Sequence, residues 1–157
     1  DNLKKNKGSV VLFSTVAVKQ GFPNHAIVSS AKGAIEGLTL ALAAEFAPNV
    51  RVNCIAPSLT NSKISHFLLK NEKVAEGIAK MHPMKRIGEG GDSASVAKFL
   101  LTDESSWITG QILGVDGGRS SVAWQFSKKQ LNSNHEKFIS NNFYSFVKHK
   151  FNGCGKW

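Results

Sequence analysis

The stretch that decides the fold runs from residue 26 to residue 55 and reads AIVSSAKGAIEGLTLALAAEFAPNVRVNCI. Its first part carries apolar residues at spacings of three and four, which predicts an amphipathic helix of about six turns. These residues are Ile27, Ala31, Ala34, Ile35, Leu38, Leu42 and Phe46. Pro48 ends the helix because proline cannot continue the helical hydrogen bonding. The segment 50–55 is short, apolar and β-branched, so it predicts a buried strand.

Two more strands and two more helices flank this pair. Residues 9–14 and 111–115 have the composition of buried strands. Residues 64–80 show weaker helical spacing, and Asp92 is expected to cap a helix that runs to about Leu101. The glycine- and proline-containing segments 16–24 and 81–91 are expected to be loops. Alternating strands and helices predict an α/β fold with three parallel strands and flanking helices.

Charge and composition narrow the possible functions. The chain has 157 residues and a formal net charge of +9. Residues 122–157 form a basic, aromatic tail with six Lys and one Glu. More than half of the chain's net positive charge therefore lies in this tail. We therefore expect no nucleic-acid partner, although the lysines interleaved with aromatic residues in the tail would suit single-stranded nucleic acid or a membrane surface. A disordered extension is the simpler interpretation of the tail.

Cysteine content and hydropathy suggest an ordinary intracellular setting. Cys54 and Cys154 have no metal-ligand neighbours at the usual spacing, so no metal site is expected. Cys54 lies in an apolar run and is expected to be a small buried residue rather than a reactive thiol. No apolar run reaches the roughly 20 residues of a membrane-spanning helix. A cytoplasmic protein without membrane contact is therefore expected.

Four motifs, in order, resemble the short-chain dehydrogenase/reductase family. They are Ser14-Thr15 at the end of a strand, Val28-Ser29-Ser30-Ala31-Lys32-Gly33-Ala34 at the head of the long helix, Arg51-Val52-Asn53-Cys54-Ile55-Ala56-Pro57 on the next strand, and Trp107-Ile108-Thr109-Gly110-Gln111 leading to Val115-Asp116-Gly117-Gly118. Each motif is weak alone, but their order and spacing are specific. The resemblance covers roughly residues 8–121 and corresponds to the C-terminal half of the family's domain.

The resemblance implies a Rossmann-like, doubly wound parallel sheet that binds NAD or NADP. The family's glycine-rich phosphate loop follows its first strand, whereas the glycine cluster at residues 88–91 follows a loop. We therefore expect a truncated domain, in which residues 1–121 form a partial Rossmann unit. Three strands alone would also leave one sheet edge open. The resemblance further implies a homo-oligomer that forms through the long helix in the full-length protein.

The family's chemistry assigns catalytic roles to Thr15 and Lys32. A hydroxyl orients the substrate oxygen, a Tyr gives it a proton, and a Lys four residues later lowers the pKa of that Tyr and holds the ribose. Lys32 falls at the Lys position and Thr15 at the hydroxyl position, but Val28 occupies the Tyr position. The alternatives are a solvated lysine and a strand-end hydroxyl bonded to nearby backbone.

The remaining expected site residues border the cofactor and the substrate. Pro57, Ser58 and Thr60 would lie beside the nicotinamide, with Ser58 in place of the family's usual Gly. Ser14, His25 and Phe67 would face a small carbonyl or alcohol substrate. His25 is a possible substitute proton donor, because imidazole titrates near neutral pH; an exposed loop histidine is the alternative.

Three functional hypotheses follow. The first is an NAD(P)-dependent oxidoreductase that is weakened by the missing Tyr, since losing a general acid costs about 10²–10⁴ in rate. The second is a non-catalytic binding or scaffolding protein that kept the fold. The third is a fragment without independent function. Whether the chain is an enzyme is therefore left open by its sequence.

Overall fold

A computed structural model describes residues 2–123 of the chain. Its elements are α1 (Asn2–Lys5), β1 (Ser9–Phe13), α2 (Ala17–Gln20), α3 (Ala26–Phe46), β2 (Arg51–Pro57), α4 (His66–Leu69), α5 (Glu72–Lys80), α6 (Gly90–Leu101), a 3₁₀ turn (Asp103–Ser105) and β3 (Ile112–Val115). Residues 124–157 lie outside the described residues, so what we expect of the tail stays a prediction.

The three strands form one parallel sheet in the order β1-β2-β3. Val10 of β1 lies opposite Val52 of β2, and Ile55 of β2 lies opposite Leu113 of β3. The middle strand is buried from Val52 to Ala56, as expected for a parallel strand covered on both faces. The predicted fold class, a Rossmann-like part-sheet with flanking helices, is confirmed.

Helices α3 and α6 cover opposite faces of the sheet. On one face, Ala43 of α3 packs against Val50 and Val52. On the other, the Arg51 guanidinium donates to the Leu100 carbonyl at the end of α6, at 3.0 Å. Successive side chains of a strand point to opposite faces, so the neighbouring residues Arg51 and Val52 contact helices on opposite sides of the sheet.

A buried polar residue, Asn53, connects β2 to the segment that starts β3. Its Nδ2 donates to the Ile108 carbonyl at 2.9 Å, and its Oδ1 accepts from the Gln111 N–H at 3.0 Å. Next to it, the Val52 N–H donates to Thr109 Oγ1 at 3.0 Å. These contacts satisfy buried polar groups and fix where β3 begins.

Several expected boundaries were wrong. The loop expected at residues 16–24 contains the single-turn helix α2, and the helix expected over 64–80 is divided into α4 and α5. Asp92 is not the N-cap of α6, which is Glu89; Asp92 lies in the first turn, and its Oδ2 accepts from the Glu89 N–H at 2.8 Å. Helix α6 therefore begins inside the segment that was expected to be a loop.

Helix α3 is more exposed than a core helix. Only Thr39 and Ala43 are buried among its 21 residues. By length and composition, α3 qualifies as a candidate membrane span, which contradicts the expectation that the chain has no such apolar run. In this structure, however, α3 lies against the sheet, and Lys32 and Glu36 hydrogen-bond to residues around the end of β1.

Candidate active site

The candidate site lies where β1 and β2 end at the same edge of the sheet. The Ser14 N–H donates to the Ile55 carbonyl at 2.8 Å, and the Val16 N–H donates to the Pro57 carbonyl at 3.1 Å. These bonds extend the pairing beyond the last residue of β1 and place Thr15 beside the end of β2. In open α/β sheets, ligands bind at this carboxyl edge.

Helix α3 brings Lys32 to the same edge. The Lys32 ammonium donates to the Phe13 carbonyl, the last of β1, at 2.9 Å. This contact uses one of its three N–H bonds and leaves the others for a ligand. One turn later, Glu36 accepts a hydrogen bond from the Ser14 hydroxyl at 2.6 Å. The two contacts fix α3 against the end of β1.

The two adjacent hydroxyls, Ser14 and Thr15, differ in their availability. Ser14 is 4% exposed, and its hydroxyl is engaged by Glu36. Thr15 is partly exposed, and its Oγ1 accepts from the Ala17 N–H at 3.3 Å, which leaves its O–H proton to donate elsewhere. The geometry therefore favours Thr15 over Ser14 as the hydroxyl that meets a ligand.

Val28 and His25 lie at the start of α3. Val28 is 48% exposed and precedes Lys32 by one turn. His25 is the exposed N-cap of α3, and its Nδ1 lies 2.8 Å from the Pro23 carbonyl oxygen. Its ring meets the Phe22 ring edge-on, with the centroids 5.5 Å apart. Two contacts thus fix the orientation of the imidazole.

Ser58 makes a contact that no sequence motif predicts. Its Oγ lies 2.9 Å from Nε2 of His82, which is only 1% exposed. Nδ1 of His82 lies 2.9 Å from the Ile78 carbonyl oxygen. A carbonyl only accepts, so Nδ1 carries a proton and donates it to the Ile78 carbonyl, while Nε2 and the Ser58 hydroxyl share the second hydrogen bond. The Ser58 hydroxyl is therefore held by His82.

The loop after β2 is pinned at several points. The Thr60 hydroxyl donates to the Ser58 carbonyl at 3.1 Å, and the Asn61 N–H donates to the Gly88 carbonyl at 2.8 Å. Ser65 donates to the Thr60 carbonyl at 2.6 Å and so links this loop to the start of α4. Phe67 on α4 is 71% exposed. Thr60 thus has a local backbone partner, while Phe67 is open to solvent.

Arg119, which sequence reasoning also missed, approaches the His25 end of the site. Its guanidinium lies 4.8 Å from the centroid of the Phe22 ring and donates to the Met81 sulfur at 3.4 Å. Burial lowers the pKa of Arg119, and the nearby Asp116 carboxylate opposes that change. Arg119 and Phe22 are far apart in the sequence, and the turn after β3 brings them together. No local sequence pattern therefore predicts this contact.

A cavity of about 400 Å³ opens between the loops that follow β2 and β3. Ser58, Arg86, Asp92 and Asp116 contribute to its lining. Burial acts to raise the pKa of Asp116, but hydrogen bonds from Ser120 and from the Gly118 N–H outweigh it, so this pKa lies below its ordinary value. Within residues 2–123, no group of three or more His, Cys, Asp or Glu side chains could hold a metal ion.

The nicotinamide end of a dinucleotide fits the residues at the carboxyl edge. Lys32 has N–H bonds to offer ribose hydroxyls, and the Thr15 O–H proton is free to meet a substrate oxygen. The pyrophosphate has no corresponding site within residues 2–123. The glycine cluster at 88–91 begins with Gly88, whose backbone pairs with Thr60 in an isolated bridge. The described residues thus fit part of the cofactor.

Comparison with known proteins agrees with this geometry. Residues 1–120 match the family described as enoyl-(acyl carrier protein) reductase. The chain is also 40% identical, over 113 residues, to tropinone reductase-like 3 of Erythroxylum coca. The matched region is 72% of this chain and 44% of that protein. The fold is that of a short-chain dehydrogenase/reductase. The chain belongs to this family.

Solved structures show the same architecture. A short-chain type dehydrogenase/reductase from Mycobacterium ulcerans is 31% identical with a TM-score of 0.70, covering 75% of this chain and 44% of that one. ElxO with NADP bound is 30% identical with a TM-score of 0.71, and the match covers 77% of this chain and 50% of ElxO. The chain thus spans about half the length of these relatives.

Proposed function

We propose that the protein is an NAD(P)-dependent oxidoreductase that interconverts a small carbonyl compound and the corresponding alcohol. The observation that carries the proposal is the convergence of Thr15 and Lys32 at the carboxyl edge of the sheet, beside Pro57. Family membership supports it, as does the NADP bound to the similar protein ElxO. The cofactor is therefore NAD or NADP, and the partner is a small-molecule substrate.

In this proposal, Lys32 and the loop after β2 hold the nicotinamide end of the cofactor. The free N–H bonds of Lys32 donate to the ribose hydroxyls, while Pro57, Ser58 and Thr60 border the ring. Because His82 holds the Ser58 hydroxyl, the backbone of this loop is the part of it that meets the carboxamide. When bound in its reduced form, the cofactor supplies the hydride.

The substrate side is formed by Thr15, His25 and Phe67, with Ser14 behind Thr15. Thr15 donates its O–H proton to the substrate oxygen and so orients the carbonyl. Phe67 offers an exposed apolar surface to the remainder of the substrate. Val28 has no proton to give, and it is the observation on which a non-catalytic, ligand-binding function would rest.

Substitution of Lys32 tests the cofactor site. The protein is expressed both as the 157-residue chain and as the longest reading frame that contains it, and NADPH binding is followed by energy transfer from tryptophan. Lys32→Met should weaken binding at least tenfold, because the ribose loses charge-assisted hydrogen bonds. Lys98→Met, on the exposed surface of α6, is the matched control and should change nothing. Absence of NADPH and NADH binding in both proteins would refute the proposal.

We further propose that residues 1–121 act as part of a larger Rossmann domain and that the basic tail is separate from it. In this arrangement, the exposed apolar side chains of α3, including Ile27 and Leu40, are covered by a second copy of the protein. We assign the protein to the cytoplasm, with neither a membrane nor a nucleic acid as partner. Fractionation of the source cells tests the location directly.

A further inference from the structure

We propose that His25 delivers the proton that Val28 cannot, and so serves as the general acid of the reaction. The inference rests on the proposed oxidoreductase function and adds a catalytic residue to it. It comes from the way the start of α3 arranges His25, Val28 and Lys32 around the end of β1.

His25, Val28 and Lys32 share one face of α3. His25 is the N-cap of α3, and Val28 and Lys32 follow it at spacings of three and four residues, so the three positions lie along one side of the helix. The 1.5 Å rise per residue places His25 about 4.5 Å along the axis from Val28. The third member of this row, Lys32, donates to the last carbonyl of β1. His25 therefore lies one turn beyond the position where the family's proton donor is expected.

The imidazole of His25 is already oriented so that one of its nitrogens, Nε2, can transfer a proton. The Pro23 carbonyl accepts from Nδ1 at 2.8 Å, and Phe22 packs against the ring. With Nδ1 committed to that carbonyl, Nε2 is the nitrogen that exchanges a proton with a ligand. The side chain is exposed to solvent. His25 is thus an oriented and accessible imidazole, a side chain that commonly acts as a general acid.

Neither the Lys80–Glu76 nor the Arg86–Asp92 ion pair involves His25. The Phe22 ring that meets His25 also contacts the Arg119 guanidinium, which lies 4.8 Å from the ring centroid.

The reaction balances with this assignment. Hydride addition to the carbonyl carbon oxidises the dihydronicotinamide and moves the C=O π electrons onto oxygen as an alkoxide lone pair. Thr15 donates a hydrogen bond to that oxygen, and the proton on His25 Nε2 is transferred to it to form the O–H bond. His25 is left neutral, with Nδ1–H still donating to Pro23, and it takes up a proton from solvent for the next turnover.

The test compares His25→Asn with the wild type in the protein that binds NADPH. Asn keeps a side-chain N–H that can reach the Pro23 carbonyl and is a good helix N-cap, but it has no proton to transfer. We expect kcat for carbonyl reduction to fall about 10²–10⁴-fold with the affinity for NADPH unchanged. A fall of less than threefold would overturn the inference.

A second substitution separates chemistry from structure. Val28→Tyr should raise the rate by a larger factor in the His25→Asn background than in the wild type, because the wild type already has a proton donor. An equal gain in both backgrounds would mean that His25 is not the donor.

Chemical modification supplies a readout that does not depend on turnover. Diethyl pyrocarbonate should modify both His25 and the exposed His66, and bound NADP⁺ with an alcohol product should protect His25 only, as followed by peptide mass spectrometry. Equal modification of His25 with and without ligands would contradict the inference. If no variant binds the cofactor, the proposed function fails together with this inference, whereas turnover that survives His25→Asn overturns this inference alone.

Discussion

Arg86 and Asp92 form the shortest ion pair among the described residues, and it controls the charge of Asp92. Two guanidinium nitrogens donate to the two carboxylate oxygens at 2.7 Å each. This contact, helped by the Glu89 N–H, lowers the pKa of Asp92 to about 2. Since the folded pKa lies below the ordinary value, the stabilisation is complete above about pH 4 and is lost as the pH falls through about 2.

Substitution of Arg86 tests whether its guanidinium causes the low pKa of Asp92. In Arg86→Gln, the pKa of Asp92 should rise from about 2 towards its ordinary value, but not fully reach it, because the Glu89 N–H still donates to the carboxylate. Carbon-detected NMR titration of the Asp92 carboxyl measures the change, with Lys98→Gln as the control for a lost surface charge. A pKa that stays at about 2 in Arg86→Gln would show that the guanidinium is not the main cause.

Ser58 and His82 show, at the same scale, why part of the site could not be predicted. Twenty-four residues separate them, and neither lies in a local pattern that signals the other. The path of α5 and the following turn brings them together. Thr15 and Lys32 could be anticipated because each falls within a motif of fixed spacing on one element. Side-chain pairs made by loops depend on tertiary packing, which periodicity does not encode.

Elements with strong periodicity were predicted well, and elements held by tertiary contacts were not. The helix expected from Ala26 begins at that residue, and the three strands lie where apolar, β-branched runs occur. In contrast, α2 is a single turn, too short to form from its own sequence. The Ser29 hydroxyl, from α3, donates to the Ala17 carbonyl at 3.1 Å and helps to hold it. Its sequence therefore carried no helical signal.

Strand β2 depends on a polar residue at its centre. Asn53 is fully buried and bonds both the Ile108 carbonyl and the Gln111 N–H. Asn53→Leu, of similar volume, should lower the free energy of unfolding by about 2–4 kcal/mol, because two buried backbone groups lose their partners at about 1–3 kcal/mol each. Urea denaturation measures this.

Gln111→Ala is the matched control for Asn53→Leu. The Gln111 side chain donates to the Thr109 carbonyl at an exposed position, so its removal should cost no more than about 0.5 kcal/mol. If the two variants were equally stable, the Asn53 amide would not be what holds the start of β3. In that case, backbone pairing of β2 with β3 would be enough to hold the start of β3 in place.

On the scale of the whole molecule, residues 2–123 leave apolar surface uncovered at the edge of β1, along α3 and at Trp107. Within residues 2–123, β1 pairs only with β2, so its outer edge is unpaired and Phe13 is 46% exposed. Along α3, Ile27 is 87% exposed and Leu40 is 53% exposed. Trp107, in the segment before β3, is 99% exposed. An exposed strand edge and an apolar helix face are features that natural proteins cover by pairing or association.

The 157-residue chain should therefore self-associate in solution. We expect sedimentation velocity at micromolar concentrations to show dimers or larger species that resist raised salt, because the contacts are apolar rather than ionic. Leu38→Lys combined with Leu40→Lys, both on exposed positions of α3, should shift the population towards monomer, since charge on an apolar contact face is costly to bury. The control, Ser95→Lys together with Lys98→Gln on exposed positions of α6, changes a surface away from α3 and should leave association unchanged. A wild-type chain that remains a monodisperse monomer and unfolds cooperatively would show that these surfaces need no partner.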